Sequence, residues 1–178
     1  IPVSFLSRTG SHYGSLQPGD RQHARVLRDQ VLAASFDVKR VEFARAFVRA
    51  KLANSRTLVQ RLGRRRDEHT ELITATAQTL REATWRTKTA ADDGTLRGIE
   101  GAAAAAYWKA LRAILPTGWD FPARIERHAP DPVNAMLSLG YSLLRANIVA
   151  MLNAHGLNPQ VGLYHRDSDG HAALASDL

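Results

Sequence analysis

The chain has 178 residues, enough for one domain with a hydrophobic core, and its 24 Lys and Arg residues outnumber 17 Asp and Glu residues. The resulting formal charge of +7 favours a polyanionic partner such as nucleic acid, although an Arg-rich surface without such a partner gives the same balance. The absence of cysteine excludes disulfides, thiolate zinc sites and cysteine nucleophiles, so a bound metal must take oxygen or imidazole ligands.

The first 16 residues differ in pattern from the rest of the chain. Residues 3–6 are β-prone, residues 8–11 carry a turn signal, and residues 12–16 are suited to a returning strand. Because an isolated hairpin is only marginally stable in water, we expect this hairpin to belong to a sheet that is otherwise missing from this sequence.

Residues 17–178 show the periodicity of helices and predict a mainly α fold. The predicted helices are one around residues 26–32 with Asp20 as a candidate cap, then 38–62, 67–84, 96–115 and 131–155, and a last one that starts near residue 172. The fifth helix is expected to end at Gly156 and to bury Met136, Leu137, Leu143, Leu144, Ile148, Met151 and Leu152. The polar residues 87–97 and the proline-containing residues 116–132 are predicted loops.

The two ends of the sequence and its hydropathy bear on its context. No apolar run approaches the roughly 20 residues that span a bilayer. No signal segment opens the sequence, so the expected compartment is the cytoplasm. The sequence starts at Ile1 rather than Met and stops at Leu178 without a turn or cap. We therefore expect a domain that is cut from a longer polypeptide and truncated at its C-terminus.

Basic residues concentrate between Lys39 and Arg66, where only Glu42 opposes them. Arginine forks onto phosphate oxygens, and a helix with a one-sided positive charge can neutralise successive phosphates of a nucleic acid. The candidate DNA-binding residues are Lys51, Arg56, Arg61, Arg64, Arg65 and Arg66. The alternative interpretation is an ordinary solvated helix face.

Glu100 lies in the segment Gly98-Ile99-Glu100-Gly101 of the fourth predicted helix. A glycine within a helix costs about 1 kcal/mol relative to alanine. A helix that keeps such glycines usually lets a nucleic-acid strand or another helix approach its backbone closely. The alternative interpretation is a glutamate in the first helical turn, where the helix dipole favours a negative charge.

His165 ends the segment Gly162-Leu163-Tyr164-His165, which follows a proline-containing loop. Imidazole binds divalent metals and transfers protons near neutral pH, and an exposed loop histidine is the alternative. Asp177 lies twelve residues further on and by itself indicates nothing. A generic helical hydrolase would need a second carboxylate cluster, and Asp92-Asp93, which offers one, is interpreted as a loop cap.

Five stretches of the sequence occur in an order that one protein family shares. They are Lys51-Leu52-Ala53-Asn54 with Arg56 and Leu58, residues 98–103 with Tyr107-Trp108, residues 131–144 beginning Asp131-Pro132-Val133-Asn134, Gly162-Leu163-Tyr164-His165 with Arg166-Asp167, and residues 172–178. Together they resemble the CRISPR-associated adaptation integrase, the endonuclease of spacer acquisition. The second, fourth and fifth stretches are similar to its glutamate motif, its histidine motif and the approach to its acidic motif.

The resemblance implies that residues 1–16 are the end of an otherwise missing N-terminal β-domain. It also implies that residues 17–178 are a helical catalytic domain that holds Mg²⁺ or Mn²⁺. The family's metal is held by a glutamate, a histidine and a downstream acid, and these map to Glu100, His165 and Asp177. These three residues are the candidate catalytic and metal-binding residues. The family's acid three residues after the aspartate would lie beyond Leu178, so the identity of the third ligand stays open, as does the choice between ligand and base for His165.

The resemblance also implies a metal-dependent DNA endonuclease and integrase that inserts short DNA fragments into a CRISPR repeat array. A 3′-hydroxyl of the incoming DNA attacks a phosphodiester of the repeat. The implied partners are prespacer and repeat DNA, a second copy in a homodimer, a second small CRISPR adaptation protein, and a fused or associated reverse transcriptase or nuclease domain. The alternative function is a non-catalytic helical scaffold that binds nucleic acid.

Overall fold

A computed structural model describes residues 3–8, 12–16, 24–64, 66–125, 129–165 and 171–178. The candidate cap Asp20 and the candidate DNA-binding residue Arg65 lie outside the described residues. The fold is mainly helical, as predicted. The helices are α1 (Ala24–Ser35), α2 (Asp37–Gly63), α3 (Thr70–Arg86), α4 (Asp93–Ile114), α5 (Pro132–Ala154) and α6 (Ala173–Asp177).

The predicted hairpin is present at the start of the chain. Strands β1 (Val3–Leu6) and β2 (His12–Leu16) pair antiparallel, with Val3 opposite Leu16 and Phe5 opposite Gly14. Both Val3 and Phe5 are exposed, so the hairpin buries little apolar surface by itself. Its membership of a separate β-domain, and the division of the chain after residue 16, stay predictions.

The chain divides into two compact units. We call Ile1–Phe43 together with Met136–Leu178 the terminal unit, and Ala44–Ala135 the central unit. The core of the central unit combines α2, α3 and α4, and its buried large side chains include Val48, Leu52, Val59, Leu80, Leu96 and Ile99. Burial of each side chain of this size contributes about 1.5–3 kcal/mol, which explains why the helical periodicity located these helices well.

Helix α5 departs from its predicted burial. Met136, Leu143, Leu144 and Met151 are 41–64% exposed, whereas Leu152 is buried. The prediction was wrong for the exposed residues because α5 is apolar around most of its circumference, and periodicity does not tell which side of such a helix is covered. Gly156 does end the helix region with a positive φ of 75°.

The apolar character of α5 also corrects the expectation that no segment is long enough to span a bilayer. Within the described residues, α5 is the one helix that is sufficiently long and apolar, with a mean hydropathy of 1.4. Length and composition alone are weak evidence, and this helix does not indicate a membrane protein. The expected cytoplasmic location stays a prediction.

Candidate active site

In the terminal unit, the carboxylate of Asp177 organises the segment that carries His165. Its Oδ2 accepts hydrogen bonds from the backbone N–H groups of Leu163 at 2.7 Å and Tyr164 at 3.1 Å. Its Oδ1 accepts from the backbone N–H of His165 at 2.8 Å and lies 2.7 Å from Nδ1 of the same residue. The side chain of Asp177 is fully buried. His165 and Asp177, which are twelve residues apart in the sequence, are therefore held together by hydrogen bonds. We call residues 162–165 with Asp177 the histidine loop.

The imidazole of His165 has a defined orientation in this loop. An ionised carboxylate only accepts hydrogen bonds, so the contact with Oδ1 of Asp177 assigns the proton to Nδ1. In the neutral ring the lone pair then lies on Nε2. The side chain of His165 is 45% exposed, while its partner carboxylate is inaccessible. The loop therefore presents one basic ring nitrogen, as a metal ligand or a proton acceptor requires.

Gly162 is required by the close packing of the histidine loop on α6. A Cβ at this position would lie 2.5 Å from the backbone oxygen of His165 and 2.7 Å from Cβ of Ala173. Real Cβ atoms essentially never come this close to their neighbours, so a larger residue would displace the loop. The glycine of the Gly162-Leu163-Tyr164-His165 motif thus serves the position of the histidine.

Gln30 of α1 supports the approach to the histidine loop, and no sequence signal identified it. Its Nε2 donates to the backbone oxygens of Asn158 at 2.8 Å and Val161 at 2.9 Å. Its Oε1 accepts from the backbone N–H of Asn158 at 2.8 Å. Gln30 is buried, and a buried amide that satisfies three loop backbone groups fixes the loop. Gln30 follows Arg28 and Asp29 in the sequence, so nothing in the local pattern marks it as buried.

In the central unit, Glu100 lies beyond the first turn of α4. The helix starts at Asp93 because the side chain of Asp92 caps it, accepting from the backbone N–H of Thr95 at 2.7 Å. That hydrogen bond also lowers the pKa of Asp92. The predicted loop over residues 87–97 is therefore wrong for residues 93–97, which belong to α4. Because α4 begins at Asp93, Glu100 does not lie in its first turn, and that interpretation was wrong as well.

The carboxylate of Glu100 faces a cation. Its Oε1 lies 2.5 Å from Nζ of Lys51, which belongs to α2. Glu100 is 18% exposed and Lys51 is 60% exposed, so the acid is held in a depression while the lysine reaches it from the surface. Lys51 was expected to contact DNA, and the structure gives it a second role as the neutralising partner of the candidate catalytic glutamate.

The two glycines beside Glu100 leave part of the surface of α4 without side chains. Gly98 and Gly101 are exposed, and a Cβ at either position would meet no atom within 4 Å outside the helix's own nearby backbone. Packing within the described residues therefore does not require these glycines. Their cost to the helix is consistent with the approach of a ligand to this surface, as the sequence suggested.

The predicted set of three metal-binding residues falls on both units. Within the described residues of either unit taken by itself, no three His, Asp or Glu side chains are grouped closely enough to hold a metal. Glu100 belongs to the central unit, whereas His165 and Asp177 belong to the terminal unit. The structure brings His165 and Asp177 together, and the shared binding of a metal with Glu100 stays a prediction.

The predicted DNA-binding residues differ in their surroundings. Arg61 and Arg64 are exposed on or just after α2, whereas Arg56 and Arg66 are partly buried. Nearby Arg45, also of the basic run, instead serves the fold, because its Nε donates to the backbone oxygen of Ala90 at 2.8 Å. The basic run is therefore a mixture of structural residues and available cations.

The Asp131-Pro132-Val133-Asn134 stretch has a structural role at the start of α5. The buried side chain of Asn134 donates to the backbone oxygen of Ala123 at 2.9 Å and accepts from the backbone N–H of Ile125 at 2.8 Å. Asp131 caps α5 by accepting from the backbone N–H of Asn134 at 2.8 Å, which lowers the pKa of Asp131. This most recognisable stretch of the sequence joins α5 to the irregular segment before it.

Known families and proteins share this sequence pattern. All of residues 1–178 match the family model described as CRISPR associated protein Cas1. The chain is 33% identical over 176 residues to the CRISPR-associated endonuclease Cas1 of Mycobacterium tuberculosis, covering 99% of this chain and 51% of that protein. It is 36% identical over 185 residues to a CRISPR-associated exonuclease Cas4/endonuclease Cas1 fusion of Rhodospirillum rubrum, covering 100% of this chain and 31% of the fusion.

Solved structures share the fold. A chain of a partial Cas6-RT-Cas1–Cas2 complex superposes with a TM-score of 0.81 at 28% identity, covering 99% of this chain and 53% of that chain. A casposase bound to an integration product gives a TM-score of 0.80 at 26% identity, covering 99% of this chain and 48% of that chain.

Fold and motifs together define a helical protein that carries a glutamate on a glycine-flanked helix and a carboxylate-oriented histidine. The chain belongs to the Cas1 family. It spans about half the length of the Mycobacterium tuberculosis relative and about a third of the Rhodospirillum rubrum fusion.

Proposed function

We propose that this chain supplies the catalytic residues of a metal-dependent DNA endonuclease and integrase that inserts short DNA fragments into a CRISPR repeat array. The observation that carries the proposal is the histidine loop, where a buried carboxylate holds Nδ1 of His165, so that the lone pair of the neutral ring lies on Nε2. The names of the relatives, an endonuclease and a casposase bound to an integration product, agree with DNA strand cleavage and joining.

The residues present fit a hard divalent cation. Carboxylate oxygen and imidazole nitrogen are ligands that suit Mn²⁺, and a carboxylate also suits Mg²⁺. The carboxylate of Glu100 contacts the ammonium group of Lys51, a cation that a metal ion would replace as its partner. We infer that Glu100 and Nε2 of His165 are ligands of the same ion.

Asp177 has a different role in this proposal. Its two oxygens already accept three backbone hydrogen bonds and contact Nδ1 of His165, and it is fully buried. A ligand in this position would have to give up those partners. We infer that Asp177 orients the histidine, as carboxylates behind metal-binding histidines commonly do. The third ligand then comes from water, substrate or another acid.

Each part of the proposed site contributes to positioning. Glu100 and His165 would hold a divalent ion, which would supply polarisation of a phosphodiester and a lower pKa for an attacking hydroxyl. Glu100 supplies a negative charge to the site, and the exposed surface at Gly98 and Gly101 lets the DNA backbone approach α4. Arginines of the basic run hold the phosphates, so that the 3′-hydroxyl and the scissile bond meet in line.

Partners follow from the names of the relatives. The Rhodospirillum rubrum relative is a Cas4/Cas1 fusion, and a solved neighbour is a Cas6-RT-Cas1–Cas2 complex. From these names we infer that this chain works with a second small CRISPR adaptation protein and with a fused or associated nuclease or reverse transcriptase domain. From the family resemblance we infer that it works as a homodimer on prespacer and repeat DNA.

The substitution Glu100→Gln tests the catalytic proposal. Loss of one metal-binding carboxylate is expected to lower strand transfer into supercoiled repeat DNA with Mn²⁺ by at least about 1,000-fold, or about 4 kcal/mol of transition-state stabilisation. DNA binding should stay within about 2-fold, because no phosphate contact is removed. The control is Glu42→Gln, an exposed glutamate of α2. Strand transfer by Glu100→Gln at the parent rate would leave only the non-catalytic scaffold.

A further inference from the structure

A cleft in the central unit brings Arg81 together with two arginines of the basic run, Arg56 and Arg64. It is open to solvent, with a volume of about 460 Å³, and lies where α2 ends and α3 begins. Arg56 and Arg64 come from α2 and the turn that follows it, and Arg81 comes from α3. Asp67 also lines the cleft, so the charges sum to a positive excess.

The residues that the structure describes leave part of the hydrogen-bonding capacity of this arginine cleft unused. Nε of Arg56 is buried and has no hydrogen-bond partner among the residues that the structure describes. Within the same residues, neither Asp67 nor any other carboxylate forms an ion pair with Arg56, Arg64 or Arg81. Buried N–H donors without a partner are rare in folded proteins and call for an explanation, such as a ligand.

We propose that the arginine cleft binds a phosphate group of a nucleic-acid backbone. Planar guanidinium groups match the oxygens of a phosphate two at a time, and such charge-assisted hydrogen bonds are stronger than neutral ones. Gln60 and Thr74 line the same cleft and add neutral donors. The choice of nucleic acid as the source of the phosphate rests on the proposed function.

Arg81 distinguishes the arginine cleft from a phosphate site made only by the basic residues of α2. It lies on α3, outside the basic run between Lys39 and Arg66, and no sequence pattern linked it to DNA. A phosphate held only by the face of α2 has no need of Arg81, whereas a phosphate in the cleft is held from both helices. A substitution at Arg81 therefore separates the two arrangements.

The experiment measures binding of a fluorescein-labelled DNA duplex by anisotropy at several NaCl concentrations, for the parent and for Arg56→Gln, Arg81→Gln and the double variant. One phosphate contact contributes about −0.9 to the slope of log K against log salt, so each single variant should bind roughly 5- to 10-fold more weakly at 0.1 M salt with a slope smaller by about 1. The double variant should lose less than the product of the single losses, because both arginines hold one phosphate.

Arg61→Gln is the matched control, since Arg61 lies on the same helix as Arg56 and does not line the cleft. Its loss should add independently to that of Arg81→Gln. Thermal unfolding checks the folding of each variant, and the exposed Arg81 carries the test if the partly buried Arg56 proves necessary for folding.

Two results would overturn the cleft proposal and leave the proposed function standing. One is DNA binding by Arg81→Gln with the parent's affinity and salt slope. The other is binding of inorganic pyrophosphate that depends on Arg81 while DNA binding does not, which would assign the cleft to a free phosphate compound. A parent protein that binds no DNA would overturn the cleft proposal and the proposed function together.

Discussion

The two halves of the proposed active site are built in opposite ways. In the histidine loop, a buried carboxylate takes three backbone hydrogen bonds and the ring of His165, and Gly162 is pressed against its neighbours. Around Glu100, the helix surface is bare at two glycines, and the cation that faces the acid belongs to a largely exposed lysine. The histidine is oriented by buried backbone and carboxylate contacts, whereas the glutamate is paired with one exposed lysine beside helix surface that carries no side chains. Substitutions in the two regions should therefore have different consequences.

The largest effect in this comparison is expected from Asp177→Asn. The amide can donate a hydrogen to His165, which favours the ring form that carries its proton on Nε2 and removes the lone pair needed there. Second-layer carboxylates of this kind commonly contribute 10- to 100-fold, so we expect Mn²⁺ affinity and strand transfer to fall by up to about 100-fold, or about 2.7 kcal/mol. Long-range ¹H–¹⁵N correlation spectra of the histidines would report the ring form directly.

Asp92→Asn is the matched control, because Asp92 also accepts a backbone hydrogen bond but contacts no histidine. Asparagine caps helices about as well as aspartate, so this variant should keep its stability and activity. If Asp177→Asn keeps the Nδ1–H form of His165 and full metal affinity, the orienting role is wrong. A variant that keeps the ring form but loses its metal would instead make Asp177 a direct ligand.

The sequence predicted the helices well and the contacts poorly. Apolar periodicity located α2, α3 and α4 because their cores follow a regular repeat. It placed the start of α4 too late, since the cap by Asp92 depends on side-chain geometry rather than on apolar pattern. It also missed the pairing of Lys51 with Glu100 and the support from Gln30, because both join residues far apart in sequence. The motif resemblance named Glu100, His165 and Asp177, and the hydrogen bonds of Asp177 are the basis of the orienting role that we propose for it.

The second prediction concerns the packed side of the comparison. Gly162→Ala would put a Cβ at 2.5 Å from the backbone oxygen of His165. Backbone cannot move as easily as a side-chain end, so we expect the free energy of unfolding to fall by about 2 kcal/mol, a value typical of overpacked sites. Urea denaturation measures it, and strand transfer should fall as well because the histidine loop is displaced. Unchanged stability would show that the loop has room for a methyl group.

The third prediction concerns the bare side. Gly98→Ala places a methyl group in open space, so α4 should gain about 0.5–1 kcal/mol in the free energy of unfolding from the better helix propensity of alanine. If DNA approaches this surface, strand transfer should fall several-fold while stability rises. Gly140→Ala is the control, since Gly140 of α5 is also exposed and open. Activity at the parent level in Gly98→Ala would mean that the glycines beside Glu100 do not serve the approach of DNA.

The smallest effect on stability is expected from Lys51→Gln. Lys51 is 60% exposed, and exposed ion pairs contribute about 0–1 kcal/mol, so unfolding should change little. In the absence of DNA, the Mn²⁺ affinity of Lys51→Gln should rise, whereas that of Asp177→Asn should fall. The ammonium group competes with a divalent ion for the carboxylate of Glu100, so its removal should tighten Mn²⁺ binding a few-fold, measured by calorimetry. Arg40→Gln, which removes a cation from the exposed carboxylate of Asp37, serves as the control. Weaker Mn²⁺ binding in Lys51→Gln would show that Lys51 contributes to metal binding and does not compete with the ion for Glu100. The ion pair of Lys51 and Glu100 would then belong to the metal-bound site.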